Sequence, residues 1–356
     1  MAKPRTLQRV EAKRPDIMDC ENSAEVVARN SFGSEIMCNM LHCDVTLSTK
    51  VDTSFDDTSV PSAKLKQLLE KAVSQSTKQA YQSDLRHFLA HGGVVPSSPE
   101  QVAEYVASFA GVLKPSTIAR RLVSIGTAHR LNGFENPVAS DIVKLSVRGL
   151  RRANPCRQRE AKPVLKDELF DILQHIECTV KGQRDLALLL LCFAAGFRRS
   201  EVVSLDVEDI QHVRQGIVVQ LVRSKTDQEG LGRKIAIPFG TGVWCPVQAL
   251  NAWISTSGIE SGPIFRVVNR HSQISTKRLS GQAVSLIVKA RADDAGFDGR
   301  NFSGHSLRAG FATSAALAGA SSRAIRNQTG HKSDSMLGRY IRDANLFTRN
   351  ATAAVL

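Results

Sequence analysis

The chain has no apolar run long enough to cross a membrane. Its longest apolar stretch, residues 186–195, falls well short of the roughly 18–20 residues that a transmembrane helix needs. The first residues, MAKPRTLQRVEAKRPD, contain no apolar segment followed by a cleavage site, so we expect no secretory signal. These two absences predict a cytoplasmic protein without a membrane partner.

Cysteine pairs and metal-binding motifs are also missing. The seven cysteines include no CxxC pair, and no His/Cys cluster near Cys38 and Cys43 has the spacing of a zinc site. We therefore expect reduced thiols and no metal. The sequence also lacks the G-x-x-x-x-G-K-[ST] loop that binds nucleotide phosphates, and no cofactor is predicted.

Positive charge, in contrast, is in excess. The 356 residues carry 47 Lys and Arg against 34 Asp and Glu, which gives a formal net charge of +13. The excess lies beyond residue 60, because residues 1–60 contain seven basic and ten acidic side chains. A chain this basic attracts polyanions such as nucleic acid or an acidic membrane surface.

Composition and periodicity divide the chain into four parts. Residues 1–62 are rich in polar residues and only weakly periodic, which predicts a poorly structured arm with at most a short helix within 24–40. Residues 63–155 are predicted to form a helical domain and residues 156–348 a larger domain, followed by a C-terminal tail, 349–356.

Amphipathic helices with short connections predict a bundle in residues 63–155. Ser76 is a candidate N-cap for the first helix, in which Tyr81, Leu85 and Phe88 share one apolar face. The next helices are predicted to begin near Pro99, Pro115 and Ala139.

Basic side chains are concentrated at the end of this bundle. From Lys144 to Lys166 there are eight bases and one acid, Glu160, and Asn154-Pro155 marks a linker. One interpretation of such a run is a solvated helix face, and the other is contact with DNA phosphates. The candidate DNA-binding residues are Arg120, Arg121, Arg148, Arg151 and Arg152.

The second domain is predicted to be a helical body with one small sheet. A nearly all-apolar helix over 183–195 is expected at its centre, and strands are expected at 211–213, 216–222 and 234–238. The other predicted helices span 166–176, 200–205, 246–255, 280–295, 305–318, 322–329 and 333–342. The fold class is therefore mainly α with a small antiparallel β-sheet, a helical bundle followed by an α+β domain.

One of the three tyrosines has a basic setting. Tyr81 and Tyr105 lie on apolar stripes and are expected in the core. Tyr340 lies between Arg339 and Arg342, where it is either an interface or core aromatic or a functional hydroxyl. A tyrosine hydroxyl has an ordinary pKa of about 10, so it needs nearby positive charge or a base to act as a nucleophile.

Five short motifs follow one another along the second domain. They are Gly196-Phe197-Arg198-Arg199-Ser200-Glu201, Ser224-Lys225-Thr226-Asp227, His305-Ser306-Leu307-Arg308, Gly330-His331, and Tyr340 nine residues later. In this order and spacing they resemble the tyrosine recombinase (phage integrase) family. The resemblance covers about residues 65–345. It implies that the bundle is the family's SAM-like core-binding domain and that residues 156–348 are its catalytic domain.

The resemblance implies a catalytic set with Tyr340 as the nucleophile. The other members of that set are Arg198, Lys225, His305, Arg308 and His331. Lys225 belongs to the least specific motif, and Arg223, Arg233 and Lys234 are nearby basic residues that could take its place.

Two adjacent arginines in the first motif require a choice of register. Gly196 before them and Ser200-Glu201 after them place Arg198, and not Arg199, at the family's position. Phe197 stands where leucine is more usual. A structural salt bridge to Glu201 is the simpler alternative to a catalytic role for Arg198.

These residue types suit the transfer of a DNA phosphodiester to tyrosine. Two arginines can fork onto the non-bridging oxygens, and a lysine can donate a proton to the leaving 5′ oxygen, which an arginine cannot. Histidines can accept the tyrosine proton or bind the phosphate. The resemblance implies a 3′-phosphotyrosine intermediate that retains the bond energy, so that rejoining needs no ATP.

The resemblance also implies a partner and an assembly. The partner is double-stranded DNA with a specific recombination site, and four copies are expected on two sites, for integration, excision or resolution of a mobile element or replicon. Residues 345–356 either dock on a neighbouring copy or form a frayed tail. Two rival functions stay open: a type IB topoisomerase-like enzyme that relaxes DNA, and a DNA-binding protein of this fold without catalysis.

Overall fold

The computed structural model describes residues 72–155, 161–221, 232–331 and 333–345. The chain divides into two compact units near residue 158. The short helix predicted within 24–40 and the tail 349–356 lie outside the described residues. In the described ranges, no helix combines the length and apolarity needed to cross a bilayer.

The helices of the N-terminal unit surround one apolar cluster. They are α1 (Gln75–Ala90), α2 (Pro99–Ser108), α3 (Pro115–Leu131) and α4 (Asp141–Ala153). Leu85 and Phe88 of α1, Val106 of α2 and Ile118 of α3 are almost completely buried in this cluster. Burial of each such side chain stabilises the unit by about 1.5–3 kcal/mol.

Two of these helices begin at positions that differ from the prediction. Ser74, and not Ser76, caps α1, because the Ser74 hydroxyl accepts a hydrogen bond from the Thr77 N–H at 3.3 Å. The fourth helix was expected to begin near Ala139, but Pro137–Ala139 forms a separate 3-10 turn before α4. Both regions contain several Ser or Asn residues that can cap a helix, so sequence alone does not select between them.

The C-terminal unit is built around the apolar helix α6. Its helices are α5 (Lys166–Gln174), α6 (Val180–Ala195), α7 (Arg199–Ser204), α8 (Pro246–Ser257), α9 (Gly281–Asp294), α10 (Ser306–Leu317), α11 (Ser322–Thr329) and α12 (Asp334–Asn345). Its strands are β1 (Ile210–Val213), β2 (Gly216–Leu221), β3 (Arg233–Pro238), β4 (Arg266–Val268) and β5 (Ile274–Arg278). Leu188, Leu189 and Leu191 of α6 are at most 1% exposed, which places this helix at the centre.

The predicted sheet contains β1, β2 and β3 in antiparallel order. Ile217 pairs with Ile237 and Val219 pairs with Ile235, and all four side chains are buried. Since side chains alternate between the faces of a strand, this register turns one face of the sheet towards the core.

A second sheet, formed by β4 and β5, was not predicted. Its strands are three and five residues long and carry few buried side chains, so they lack the apolar alternation that identifies a strand. The turn between them is stabilised by the Asn269 side chain, whose Oδ1 accepts from the N–H groups of His271 and Gln273.

A small apolar cluster beside the main core joins the last three helices. Ala312 of α10, Ile325 of α11 and Leu337 of α12 are buried together, and Tyr340 and Ile341 pack against them. This packing determines which face of α12 is turned towards α10 and therefore where Tyr340 lies.

Candidate active site

The glycine that ends α6 allows the chain to turn sharply before Arg198. Gly196 has a φ of 59°, in the left-handed region that glycine adopts without strain. A Cβ at this position would lie 2.8 Å from Thr329 Cγ2, so a larger residue would also collide with α11. The chain next buries Phe197 and places Arg198 at the start of α7, with 16% of its side chain exposed.

Glu201 holds Arg198 through both of its carboxylate oxygens. Oε1 accepts from Arg198 Nη1 at 2.5 Å, and Oε2 accepts from the Arg198 backbone N–H at 2.9 Å. The Glu201 side chain is only 1% exposed, and a buried carboxylate requires such partners. The salt bridge suggested by the sequence is therefore present. The other terminal nitrogen of Arg198, Nη2, donates a hydrogen bond to the Gly330 carbonyl at 3.3 Å.

Arg308 is charged although it is only 1% exposed. Its Nη1 donates to the carbonyl oxygens of Gly196 and Thr329 at 2.6 and 2.5 Å. Burial, followed by the nearby Arg198, lowers the pKa of Arg308 to about 10, so the guanidinium remains protonated at neutral pH. Its Nη2 is buried without a hydrogen-bond partner among the described residues. An anionic oxygen would satisfy this donor.

Tyr340 lies in hydrogen-bonding contact with His305. The Tyr340 hydroxyl is 2.9 Å from His305 Nε2, although the two residues are 35 positions apart in the chain. Burial, together with the positive charges of Arg308 and Arg198, lowers the pKa of His305. The imidazole is therefore neutral at neutral pH, and its Nε2 is a suitable acceptor for the tyrosine proton.

His331 is oriented by the threonine two residues before it. Thr329 Oγ1 donates to the Ile325 carbonyl at 2.7 Å. Because a hydroxyl has one proton, the same Oγ1 accepts from His331 Nδ1, which lies 2.7 Å away. This pattern places the proton of a neutral His331 on Nδ1 and leaves Nε2 as an acceptor.

The lowered pKa of His331 agrees with a neutral ring. Burial, followed by the charges of Arg308 and Arg198, lowers the pKa of His331 to about 3, so the ring is neutral at physiological pH. Its centroid lies 6.2 Å from that of the Tyr340 ring. A second neutral imidazole therefore lies near the phenol.

The charged groups of the site do not balance. Among the residues that the structure describes, Arg198, Arg233 and Arg308 interact with one another and with one carboxylate, Glu201. Three guanidinium groups and one carboxylate leave a surplus of two positive charges, which attracts an anion such as a phosphodiester. In the described ranges, no three His, Cys, Asp or Glu side chains lie close enough to hold a metal ion.

The structure brings five of the six residues of the predicted catalytic set to one place. They are Arg198, His305, Arg308, His331 and Tyr340. Lys225 and the nearby Arg223 lie outside the described residues. Of the two basic residues at the start of β3, Arg233 joins the cluster, whereas Lys234 is exposed.

Sequence reasoning did not identify Thr329 as a functional residue. Its position directly before Gly330-His331 was the available signal, but spacing does not reveal that its hydroxyl bonds to the imidazole. Arg199, the neighbour of Arg198, bonds to Ser285 Oγ at 3.3 Å instead of joining the cluster.

Two of the candidate DNA-binding arginines lie on α3 beside a buried aspartate. Asp84 is 1% exposed and accepts from Arg120 at 2.7 Å, while about half of the Arg120 side chain, 51%, remains exposed. Arg121 is only 12% exposed, and its Nη1 lies 2.9 Å from the His87 ring nitrogens and 3.4 Å from Tyr105 Oη. Arg120 is therefore accessible to a partner, whereas most of Arg121 packs within the unit.

The other three candidates lie on one exposed helix. Arg148, Arg151 and Arg152 are all solvent-exposed on α4. Their positions leave the guanidinium groups accessible to phosphates.

The family is identified by the region that contains this site. Residues 162–346 match the sequence profile of the phage integrase family. This chain belongs to the phage integrase family. It is a site-specific tyrosine recombinase, an enzyme that cleaves and rejoins DNA strands.

Individual relatives cover both units of the chain. The "Integrase/recombinase xerD homolog" of Selenomonas ruminantium is 39% identical over 300 residues, which span 82% of this chain and 88% of the relative. The recombinase Cre of Escherichia phage P1 is 28% identical over 268 residues, 70% of this chain and 77% of that protein. A lambda integrase tetramer bound to a Holliday junction shares the fold, with a TM-score of 0.55, 19% identity and coverage of 78% of this chain and 75% of that chain.

Proposed function

We propose that this recombinase cuts duplex DNA by attack of the Tyr340 hydroxyl on a phosphodiester, which forms a 3′-phosphotyrosine intermediate. The observation that carries the proposal is the 2.9 Å contact between Tyr340 Oη and a neutral His305, beside a cluster with two surplus positive charges. Nucleophile, proton acceptor and anion-binding groups come from distant parts of the chain and meet at one site.

In the cleavage step, His305 Nε2 accepts the proton of Tyr340 as the phenolic oxygen attacks phosphorus. Negative charge then grows on the non-bridging oxygens. Arg198 and Arg308 Nη2, which has no partner among the described residues, are the donors assigned to these oxygens. A preorganised donor of this kind lowers the barrier by about 3 kcal/mol. His331, held by Thr329, is assigned a supporting hydrogen bond through Nε2.

Lys225 is the proposed proton donor to the departing 5′ oxygen. An ammonium group can give up a proton at this step, whereas a guanidinium cannot. The phosphotyrosine bond retains the energy of the phosphodiester, so attack by a 5′ hydroxyl of another strand reverses the reaction and rejoins DNA without ATP.

Residues 63–155 are proposed to be the core-binding domain. The exposed arginines of α4 and the half-exposed Arg120 are suited to phosphate contacts, which supply affinity and fix the position of the protein on the duplex. Residues 156–348 are the proposed catalytic domain, with the tail 349–356 after it.

The proposed reaction involves four copies on two recombination sites. The lambda integrase structure is a tetramer bound to a Holliday junction, the four-way DNA that strand exchange between two sites would generate. We assign the reaction to the cytoplasm and to integration, excision or resolution of a mobile element or replicon.

Two rival functions are less well supported. The curated relatives are recombinases, which favours recombination over a type IB topoisomerase-like reaction. A non-catalytic DNA-binding protein would not need a phenol in hydrogen-bonding contact with a neutral imidazole.

The deciding experiment compares wild type with Tyr340→Phe. A DNA site is first selected from random duplexes by wild-type binding, and a nicked duplex of that site is then tested for a covalent protein–DNA adduct on a denaturing gel. Tyr340→Phe should bind the duplex like wild type but form no adduct, because it lacks the attacking oxygen. Tyr81→Phe, which removes another partly buried tyrosine hydroxyl, should keep wild-type adduct formation.

Three outcomes would contradict the proposal. An adduct with Tyr340→Phe would place the nucleophile elsewhere. A wild-type protein that binds the nicked site without forming an adduct would be a non-catalytic binder. Efficient relaxation of a supercoiled plasmid that lacks the selected site would favour the topoisomerase-like reaction.

A further inference from the structure

Arg233 connects strand β3 to two other segments of the active site. Its Nη2 donates to Glu201 Oε2 on α7 at 3.2 Å, and its Nη1 donates to the Gln328 carbonyl on α11 at 3.1 Å. Its side chain is 22% exposed. The sequence suggests Arg233 only as a substitute for Lys225, but these contacts place it beside Arg198 and His331.

The absence of a side chain at Gly330 leaves room for the Arg233 guanidinium. A Cβ on Gly330 would lie 2.4 Å from Arg233 Nη1, and its φ of 68° is a conformation that other residues rarely adopt. The glycine before His331 therefore serves two purposes, a left-handed turn and close approach of a charged group from β3.

The Gln328 side chain of α11 also bonds to β3 and to α6. Gln328 Nε2 donates to the carbonyl oxygens of Ala194 at 3.1 Å and Ala236 at 3.3 Å. Arg233 and Ala236 are both on β3, so backbone and side-chain groups of Gln328 bind the strand at two points. The location of Arg233 is thus determined by more than its own bonds.

Arg233 and Arg198 share one carboxylate. Glu201 Oε1 bonds to Arg198 Nη1, and Oε2 bonds to Arg233 Nη2. A single carboxylate cannot neutralise two guanidinium groups. If Arg233 lost its charge, Glu201 and Arg198 would form a balanced pair, and the surplus of the cluster would fall from two positive charges to one.

We propose that Arg233 is a positioning residue for phosphoryl transfer, which shares Glu201 with Arg198 and so keeps the positive charge of Arg198 available to the scissile phosphate. The Nη groups of Arg233 bond to Gln328 and Glu201, and its Nε is buried without a hydrogen-bond partner among the described residues. The role assigned to Arg233 is exerted through Glu201 and Arg198. The inference rests on the proposed tyrosine attack and extends it.

The test uses two versions of the selected, nicked DNA site. One has the natural phosphodiester, and the other has a neutral methylphosphonate at the scissile position, so that the reaction develops one less negative charge. The measured quantity is the rate of adduct formation in a single turnover at saturating DNA. Wild type, Arg233→Gln and Arg233→Lys are compared on both DNAs.

Arg233→Gln should slow adduct formation on the phosphodiester by about tenfold, less than the roughly 100–1,000-fold expected when a direct donor is lost. On the methylphosphonate its rate should lie within about twofold of wild type, because less negative charge needs to be stabilised. Arg233→Lys keeps the charge and should lie within about threefold of wild type on both DNAs. If Arg233→Gln fails to fold, the Arg233→Lys result alone decides, since equal, large slowing on both DNAs would contradict a role based on charge.

Arg278→Gln is the matched control. Arg278 also joins a carboxylate and a backbone carbonyl, with bonds to Asp206 at 2.6 Å and to the Val203 carbonyl at 2.7 Å, but it is not part of the charge cluster. Any slowing in this variant should be equal on the two DNAs.

Equal slowing of Arg233→Gln on the two DNAs would show a merely structural role and overturn the proposal. Restoration of its rate by a better 5′ leaving group, and not by the methylphosphonate, would also overturn it, since Arg233 would then act on the leaving oxygen. A wild-type protein without any adduct would instead contradict the tyrosine attack itself, so the two failures are distinguishable.

Discussion

Two ionic clusters lie near opposite ends of helix α6 and differ in their charge balance. In the cluster near its start, Asp185 accepts from Arg184 at 2.6 Å and from Arg291 at 2.7 Å. Arg291 also bonds to Asp294 at 2.9 Å. Two guanidinium groups therefore meet two carboxylates, and the cluster is neutral.

In the described part of the chain, the cluster after the end of α6 has one carboxylate for three guanidinium groups. Glu201 bonds to Arg198 and Arg233, whereas Arg308 is held by backbone carbonyls and keeps a buried donor without a partner among the described residues. Uncompensated buried charge is destabilising, so a fold retains it only when other contacts over-determine the arrangement. The charge-balanced cluster is therefore suited to stabilise the fold, and the unbalanced cluster is suited to bind an anion.

The largest expected effect concerns the balanced cluster. Asp185→Asn would remove the main carboxylate partner of the buried Arg184 and of the partly buried Arg291, at a cost of about 3–5 kcal/mol in the free energy of unfolding. Asp294→Asn is the control, because Asp294 is 47% exposed and its loss should cost less than about 1 kcal/mol. Urea unfolding measures the free energy of unfolding of both variants. The folded fraction of Asp185→Asn should keep its rate of adduct formation, and a large loss of rate without a loss of stability would remove the distinction between the clusters.

The next effect concerns the unbalanced cluster and is a change in the rate of adduct formation. Arg308→Lys keeps the charge but loses the fork that reaches both the Gly196 and Thr329 carbonyls and a bound anion. We expect adduct formation to fall by roughly 100–1,000-fold, the equivalent of about 3 kcal/mol, while DNA binding changes little. Single-turnover kinetics and a binding titration on the same nicked DNA separate these quantities. Adduct formation near the wild-type rate would show that charge alone is sufficient.

The smallest effect is a pH dependence caused by the burial of His331 and by the positive charges near it. The pKa of His331 is about 3 in the folded protein and near 6.5 in the unfolded chain, so between these values only the unfolded chain binds the proton. The contribution of neutral His331 to the free energy of unfolding is therefore fully present above about pH 6.5. It decreases as the pH falls, by about 2 kcal/mol at pH 5. Unfolding of wild type and His331→Gln at pH 7 and pH 5 tests this. Between pH 7 and pH 5, His331→Gln should lose less stability than wild type. Identical losses would show that His331 does not have a lowered pKa in the folded protein.

Much of the architecture was predictable from local pattern. The apolar run of α6, the alternation in β2 and β3 and the prolines at the start of α2 and α3 are visible in the sequence, because periodicity and helix-start signals are local properties. The β4–β5 hairpin was missed because its strands are short and largely exposed, so that pairing across the turn, and not apolar alternation, defines them.

The site was predictable only as a set of motifs. The resemblance of five short motifs to a family indicated Arg198, His305, Arg308, His331 and Tyr340, but the bonds among them depend on how α6, α10, α11 and α12 pack. The hydrogen bond by which Thr329 orients His331 cannot be predicted from their spacing in the sequence, because the same two residues in another backbone conformation would not be in contact.

The family, the order of most helices and the excess of positive charge follow from residue type and short-range spacing. Which charges face one another depends on how distant segments pack. Arg184 and Arg198 lie on or beside the same helix, yet one is neutralised and the other shares its carboxylate with Arg233 from a distant strand. Coulomb interactions depend on distance and burial, and both arise from chain segments that the fold brings together.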